Sequence, residues 1–375
     1  MAKAFLKGIR VLDMSQFLPG PFATQMLADM GADVVKIEPP KGDPMRGLDP
    51  VTNARGASPY HALVNAGKRI VTLDLKTDAG KETFEALIAA ADVLMESYRP
   101  GVMARLGYGY ETLSGINPGL VHCALSGYGQ NGPMRLAGGH DINYVAAAGQ
   151  LGLTGPGAKP HPAYPMVADY AGAMQSVTAI LGALLGRTGT GKGAYLDVAM
   201  ADSVLAWQSQ ALTAQARGAA PGRDKSLLTG GCAFYGVYET KDGKFISLGA
   251  IENVFWENFC RAIRREDLIT RQSEPLPQTD LIAEVAAIIK SRTRDGWDEL
   301  LRDVDCCYHP VLDIDEVPDH PQNAARGLIQ PQPGLEAENG TSVLLPIWVD
   351  GKAPEPRAPM QEVTAEDVLA GWVNA

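Results

Sequence analysis

His140 follows two glycines and precedes an apolar run. The stretch reads Gly138-Gly139-His140-Asp141-Ile142-Asn143-Tyr144, and the run is Val145–Leu151. Glycine admits a sharp backbone turn, and the apolar run reads as the start of a helix. His140 and the first free N–H groups of a helix therefore fall at one place. An imidazole titrates near neutral pH, and preorganised N–H groups receive developing negative charge. Together they suit removal of a proton next to a carbonyl, with the backbone N–H groups beside Asp141 as the oxyanion site. The plainer reading makes Asp141 an ordinary N-cap and His140 a turn residue. Taken alone, these residues favour the plainer reading.

The elements that position this stretch alternate. Strands are expected at Ile9–Met14, Asp33–Ile37, Ile70–Leu75, Val93–Glu96, Leu120–Leu125 and Tyr195–Met200. Helices are expected at Phe22–Met30, with Gly31 closing its C-terminus, at Gly80–Ala91 and at Tyr170–Gly186. Pro19-Gly20-Pro21 reads as a turn. Short apolar strands alternating with helices predict an α/β protein, a parallel sheet covered by helices.

Beyond about residue 225 the texture changes. Phe234–Thr240 and Lys244–Gly249 alternate like strands around the turn Lys241-Asp242-Gly243. Helices follow at Val254–Ile263, Leu281–Ile289 and Asp295–Val304. Proline-rich stretches at Pro318–Pro321 and Pro331–Pro333 lead into a tail too small for a core of its own. The expected division is a large α/β domain over residues 1–200 and a linker helix over 201–228. A small α+β domain over 229–315 and a segment over 316–375 that returns to the large domain complete it.

Composition narrows the function classes. The chain has 375 residues, 46% hydrophobic and 20% charged, and a net charge of −10. That length allows more than one domain and a large core. The acidic balance argues against nucleic acid as a partner and leaves room for a local basic pocket. Cys123, Cys232, Cys260, Cys306 and Cys307 are odd in number and lack zinc spacing, which points to buried thiols and no metal. No apolar run is long enough to span a bilayer, so no membrane association is expected, and a cytoplasmic location is.

Two motifs are decoys. The first strand–turn–helix carries Ser15–Pro21 in place of GxGxxG, and its prolines lack N–H groups a pyrophosphate would need, which argues against NAD. Gly186-Arg-Thr-Gly-Thr-Gly191-Lys192 matches GxxxxGK but continues with Gly193, so the hydroxyl that would meet magnesium is missing. It also follows a helix and precedes a strand, the reverse of a phosphate-binding loop.

Several segments in one order carry a resemblance. Gly8–Asp13, Pro19–Pro21 and Leu27–Pro39 open it. Asn65–Lys76, Tyr98–Gly107, Ser126–Pro133 and Gly191 through Asp202 continue it. In these the chain resembles the class III CoA transferase superfamily over nearly its whole length, more weakly past residue 265. The resemblance implies acyl-CoA thioesters as substrates and an interlocked homodimer whose sites are built from two chains.

The superfamily has two chemistries. In CoA transferases an aspartate attacks the thioester and forms an acyl anhydride. In racemases like α-methylacyl-CoA racemase the α-proton moves from one face to the other. Asp169, in Met166–Gly172, matches the key carboxylate of both. Its plainer role is N-cap of a helix from Tyr170, and the helix terminus would favour its ionised form. The stretch Ala168–Gly172 departs from the family's more glycine-rich form. Gly139–Tyr144 and Gly249-Ala250-Ile251-Glu252 match racemase signatures, which implies Glu252 as the partner of His140. The plainer reading of Glu252 is an acid favoured by a helix dipole.

The resemblance thus implies a two-base racemase acting on 2-methylacyl-CoA thioesters, with His140 oriented by Glu252 on one face and Asp169 on the other. No metal or redox cofactor is expected beyond the CoA of the substrate. Arg46, Lys68, Arg99 and Arg105 are the expected CoA contacts; the plainer reading is solvated surface charge. The alternatives are a CoA transferase with Asp169 as nucleophile and a non-catalytic acyl-CoA-binding protein.

Overall fold

The structure is a computed structural model that describes residues 4–48, 58–332, 334–335 and 340–373. Of the stretches singled out above, Pro333 lies outside the described residues. The chain forms two compact units. One comprises residues 1–148, 164–207 and 318–375, and the other 149–163 and 208–317.

The first unit begins β1 (Arg10–Met14), α1 (Pro19–Asp29), β2 (Asp33–Glu38), α2 (Pro59–Asn65), β3 (Arg69–Thr72), α3 (Asp78–Ala90) and β4 (Val93–Glu96). It continues α4 (Val102–Arg105), α5 (Tyr110–Ile116), β5 (Val121–Ser126), α6 (Asp141–Ala147), α7 (Val167–Thr190), β6 (Ala194–Ala199) and α8 (Met200–Trp207). The second unit contains α9 (Ser209–Ala216), β7 (Tyr235–Glu239), β8 (Phe245–Gly249), α10 (Asn253–Ala262), α11 (Thr279–Ile289), α12 (Arg294–Leu301) and β9 (Tyr308–Pro310). The chain then re-enters the first unit with α13 (Pro321–Arg326), β10 (Ile329–Pro331), β11 (Thr341–Val343), β12 (Gln361–Glu362) and α14 (Ala365–Val373).

Seven strands pair in the order β12-β3-β2-β1-β4-β5-β6, all parallel. Strands β1, β4 and β5 are apolar runs with almost every residue buried, as strands covered on both faces require. The chain steps outward from β1 to β3, then restarts with β4 on the other side of β1. Such a reversal opens a crevice at the carboxyl ends of the two strands, where ligands bind in doubly wound sheets. The expected α/β fold with a Rossmann-like parallel sheet is what the chain adopts.

One apolar core joins Leu12, Val35, Phe84, Leu87, Ile88 and Leu94 to Val368 and Trp372 of α14. The Trp372 indole donates to Asp33 at 2.7 Å. Arg357 grips Asp29 of α1 at 2.6–3.1 Å and so ties the returning tail down. The second unit has its own core, built on Trp256, Phe259, Leu281, Val285, Ile289 and Trp297 under the antiparallel sheet β7-β8-β9.

Three local expectations change. Pro19-Gly20-Pro21 is the first turn of α1, because proline at N1 loses no helical hydrogen bond. Helix α7 starts at Val167, three residues before Tyr170, so Asp169 sits in its first turn and Met166 occupies the N-cap. The stretch 201–228 is no single linker helix: it holds most of α8 and all of α9, which fall in different units, and is not α-helical beyond Ala216. The described residues contain no helix long and apolar enough to cross a membrane.

Candidate active site

A cavity of about 610 Å³ opens at the carboxyl ends of the strands. Its walls come from the β1–α1 turn (Gln16, Phe17, Pro19), the β4–α4 turn (Ser97–Pro100, Val102, Arg105) and the segment after β5 (Leu125–Tyr128). Arg135, Ala137, Gly138, Gly139, His140, Tyr144, Asp169 and Met200 complete it. All belong to the first unit, and the volume suits a small-molecule site.

The Gly-Gly-His stretch is shaped by two neighbours. A side chain at Gly139 would put its Cβ 2.8 Å from the Tyr144 ring, and one at Gly138 would put it 3.1 Å from the Arg99 guanidinium. The Tyr144 hydroxyl donates to the Gly139 carbonyl at 2.6 Å, and its ring meets Tyr128 edge-on at 5.1 Å. His140 is the N-cap of α6, and its backbone N–H donates to Asn143 Oδ1 at 3.0 Å. Its exposed ring borders the cavity.

Asp141 plays a different part from the N-cap of its own helix. Its Oδ1 accepts from the N–H groups of Ala168 at 2.6 Å and Asp169 at 3.2 Å. It therefore caps the neighbouring helix α7 and uses the donors that would have favoured an ionised Asp169. Burial lifts the Asp169 carboxyl to about 7, and the Asp141 charge adds to the rise. The sequence-based expectation ran the other way, since a helix terminus by itself lowers a carboxyl pKa. A carboxyl near 7 can both take and give a proton at neutral pH.

The four expected basic contacts divide. Arg99 and Arg105 line the cavity, and among the described residues neither is ion-paired. Lys68 does not reach it. Lys68 is buried, with Nζ 3.0 Å from Asp13, 2.8 Å from the Pro21 carbonyl and 2.9 Å from Asn65 Oδ1. Burial depresses its ammonium to about 8. Burial alone would raise Asp13, but Lys68, Lys36 and the Ser15 and Thr24 hydroxyls hold it well below the usual carboxylate range. Arg46 lies outside the lining as well, 2.7 Å from Glu38 and 3.6 Å from Glu362.

Glu252 lies in the second unit as the N-cap of α10. Sequence reasoning passed over Arg135, which lines the cavity five positions before His140. It named Tyr144 only within a signature, although its ring and hydroxyl pack on Gly139 beside His140. Glu38, Asp43 and His61 are buried and within 4.8 Å of one another, a set that could hold a metal. Lys36 stands 2.9 Å from Asp43 and Arg46 2.7 Å from Glu38, so positive charge is already supplied there. Cys123, Cys232, Cys260 and Cys306 are buried free thiols, and Cys307 is exposed.

A doubly wound sheet, with His140, Asp169 and three arginines lining a crevice at its switch point, defines an α/β protein with a cavity of small-molecule size. The chain belongs to CoA-transferase family III, whose family model matches residues 6–361. It is 34% identical to alpha-methylacyl-CoA racemase of Homo sapiens over 330 residues, covering 86% of this chain and 81% of the racemase. It is also 32% identical to acetyl-CoA:oxalate CoA-transferase of Acetobacter aceti over 332 residues, covering 86% and 84%. A CaiB/BaiF family protein from Brucella suis has the same fold, with a TM-score of 0.83, 27% identity and 98% of each chain covered.

Proposed function

We propose that the chain is a racemase of 2-methylacyl-CoA thioesters, working by 1,1-proton transfer through an enolate. The observation that carries this is the pairing of His140 and Asp169 in one cavity, with Asp169 near 7. Inversion needs two groups that exchange roles, and a carboxyl poised near neutrality serves as base for one enantiomer and acid for the other. Asp169 takes the α-proton from one face while protonated His140 returns one to the opposite face; the other enantiomer runs the reverse. Backbone N–H groups at the start of α6, near Asp141, receive the enolate oxygen. Arg99 and Arg105, joined by Arg135, meet the CoA phosphates. The reaction as written needs no metal or redox cofactor.

Glu252, from the second unit, is proposed to orient His140 in a homodimer whose chains share their sites. Mixing His140→Ala chains with Glu252→Gln chains tests the sharing, because exchange of subunits would then restore part of the lost activity. A monomer in light scattering would remove the homodimer from the proposal.

Heavy water tests the reaction. Wild-type protein should place deuterium at the α-carbon of a 2-methylacyl-CoA with no acceptor acid present. The similarity to the oxalate CoA-transferase supports a second reading, Asp169 as nucleophile. CoA moving to an added carboxylate with no deuterium at the α-carbon would favour that reading. Binding of CoA with neither outcome would leave a non-catalytic binding protein.

A further inference from the structure

Glu96 ends β4 immediately before the turn that carries Arg99. It is 4% exposed, and its Oε2 accepts the Tyr98 backbone N–H at 2.6 Å. That bond curls the chain at the strand end. Ser97, Tyr98, Arg99 and Pro100 all line the cavity, and Ser97 Oγ in turn accepts the Gln16 N–H at 2.9 Å. One buried carboxyl thus fixes the turn that presents Arg99 and, through Ser97, reaches the β1–α1 turn.

We propose that Glu96 is a positioning residue for anion binding, holding the Ser97–Pro100 turn so that Arg99 meets the phosphates of CoA. The proposal rests on the reading of the cavity as a CoA site.

The surroundings of Glu96 make it separable by pH. Tyr98 on the turn, His122 on β5, and Tyr195 and Asp197 on β6 lie on its side of the sheet, whereas Asp13 on β1 and Cys123 on β5 pair with Met95 and face the other side. His122 Nε2 is 3.9 Å from Oε1, both its ring nitrogens lack a hydrogen-bond partner, and burial pushes it down to about 4. Burial pushes Tyr98, Tyr195 and Cys123 up to about 12, and lifts Glu96 to about 8. Asp13 is held low by its lysines. Near pH 8 the group among these with a displaced pKa that titrates is Glu96. Its ionisation sets a negative charge behind the arginine turn and weakens the hold on a polyanion.

Calorimetric titration of free CoA tests this. Glu96→Ala should raise the Kd about tenfold, the size of one lost hydrogen bond to a charged or buried group. Glu96→Gln should recover most of that at pH 7, since its amide oxygen accepts the same N–H. In an Arg99→Ala background, Glu96→Ala should add little, because the two act through one arginine. From pH 7 to 9 the wild-type Kd should rise about threefold more than that of Glu96→Gln. Should Glu96→Ala fail to fold, the pH comparison with Glu96→Gln decides. Unchanged affinity in folded Glu96→Ala, full additivity with Arg99→Ala, or parallel pH profiles would each overturn the proposal. No CoA binding by the wild type would overturn the cavity reading itself.

Discussion

Two clusters of charge meet the β1–α1 turn, and they are settled in opposite ways. Behind the turn, Asp13, Lys36, Asp43 and Lys68 form a buried network in which cations face carboxylates. Lys36 donates to the Ser15 carbonyl at 2.6 Å and Lys68 to that of Pro21, so the network grips both ends of the turn. In front of it, Arg99, Arg105 and Arg135 border the cavity with no ion pair among the described residues, beside an Asp169 lifted toward neutrality. Residue type does not separate the clusters. What separates them is whether the charge is already answered inside the chain. A buried, answered charge holds a fold, and removing one partner strands the other. An unanswered cation on a cavity wall is available to a ligand.

The largest effects should come from the cavity. Asp169→Ala and His140→Ala, once shown to be folded, should each lose racemisation by about 10³-fold, within the range of a lost acid–base group. Each should keep some α-proton exchange on one enantiomer, and the two preferences should be opposite. Full racemisation by either folded variant would erase the two-base side of the comparison. Next in size is the buried network. Lys68→Ala takes the paired cation from Asp13, leaving it Lys36 and the Ser15 and Thr24 hydroxyls, and should cost about 3 kcal/mol of stability, read as a lowered denaturation midpoint. If Lys68→Ala instead kept its midpoint and lost CoA affinity in a salt-dependent way, the network would belong with the ligand site.

Much of this was legible from sequence. The central strands came from apolar runs, since a parallel sheet buried on both faces leaves little other pattern. Val93–Glu96 matches its expected bounds, and most others shift by one or two residues. Asp169, Arg99 and Arg105 came from family motifs and lie in one cavity with His140. What the sequence hid was tertiary. Lys68 and Arg99 both sit in matched segments, and nothing local shows that Lys68 faces Asp13, fifty-five positions away. The sign of the Asp169 shift was misread because burial outweighs the helix terminus, and the Asp141 carboxylate, which reaches across to α7, adds to the rise. Arg135 lay in a stretch without a motif, and its nearness to His140 was the signal available.

A smaller effect bears on the unpaired arginines. Arg99→Ala or Arg105→Ala should raise KM for acyl-CoA about tenfold while kcat moves less, because phosphate contacts are uniform between ground and transition states. The difference should shrink as salt rises, as exposed charge contacts are screened. An unchanged KM in both variants would place these arginines with ordinary surface charge.

The smallest expected effect is the most specific to the geometry. Asp169 must be deprotonated to accept a proton, so exchange of the enantiomer it attacks should rise as pH rises through about 7. Below that point the carboxyl is protonated, and the rate should fall about tenfold per pH unit. Burial is the larger cause of the lift and the Asp141 charge the smaller. Asp141→Asn keeps an oxygen to accept the Ala168 and Asp169 N–H groups but removes the like charge. The ascending limb should therefore move to lower pH by roughly half a unit, with burial holding the rest of the shift in place. Rates of deuterium exchange between pH 5 and 9, measured separately on the R and S thioesters, would show it. A limb that stays put or moves upward would mean that Asp141 acts on α7 through its hydrogen bonds alone.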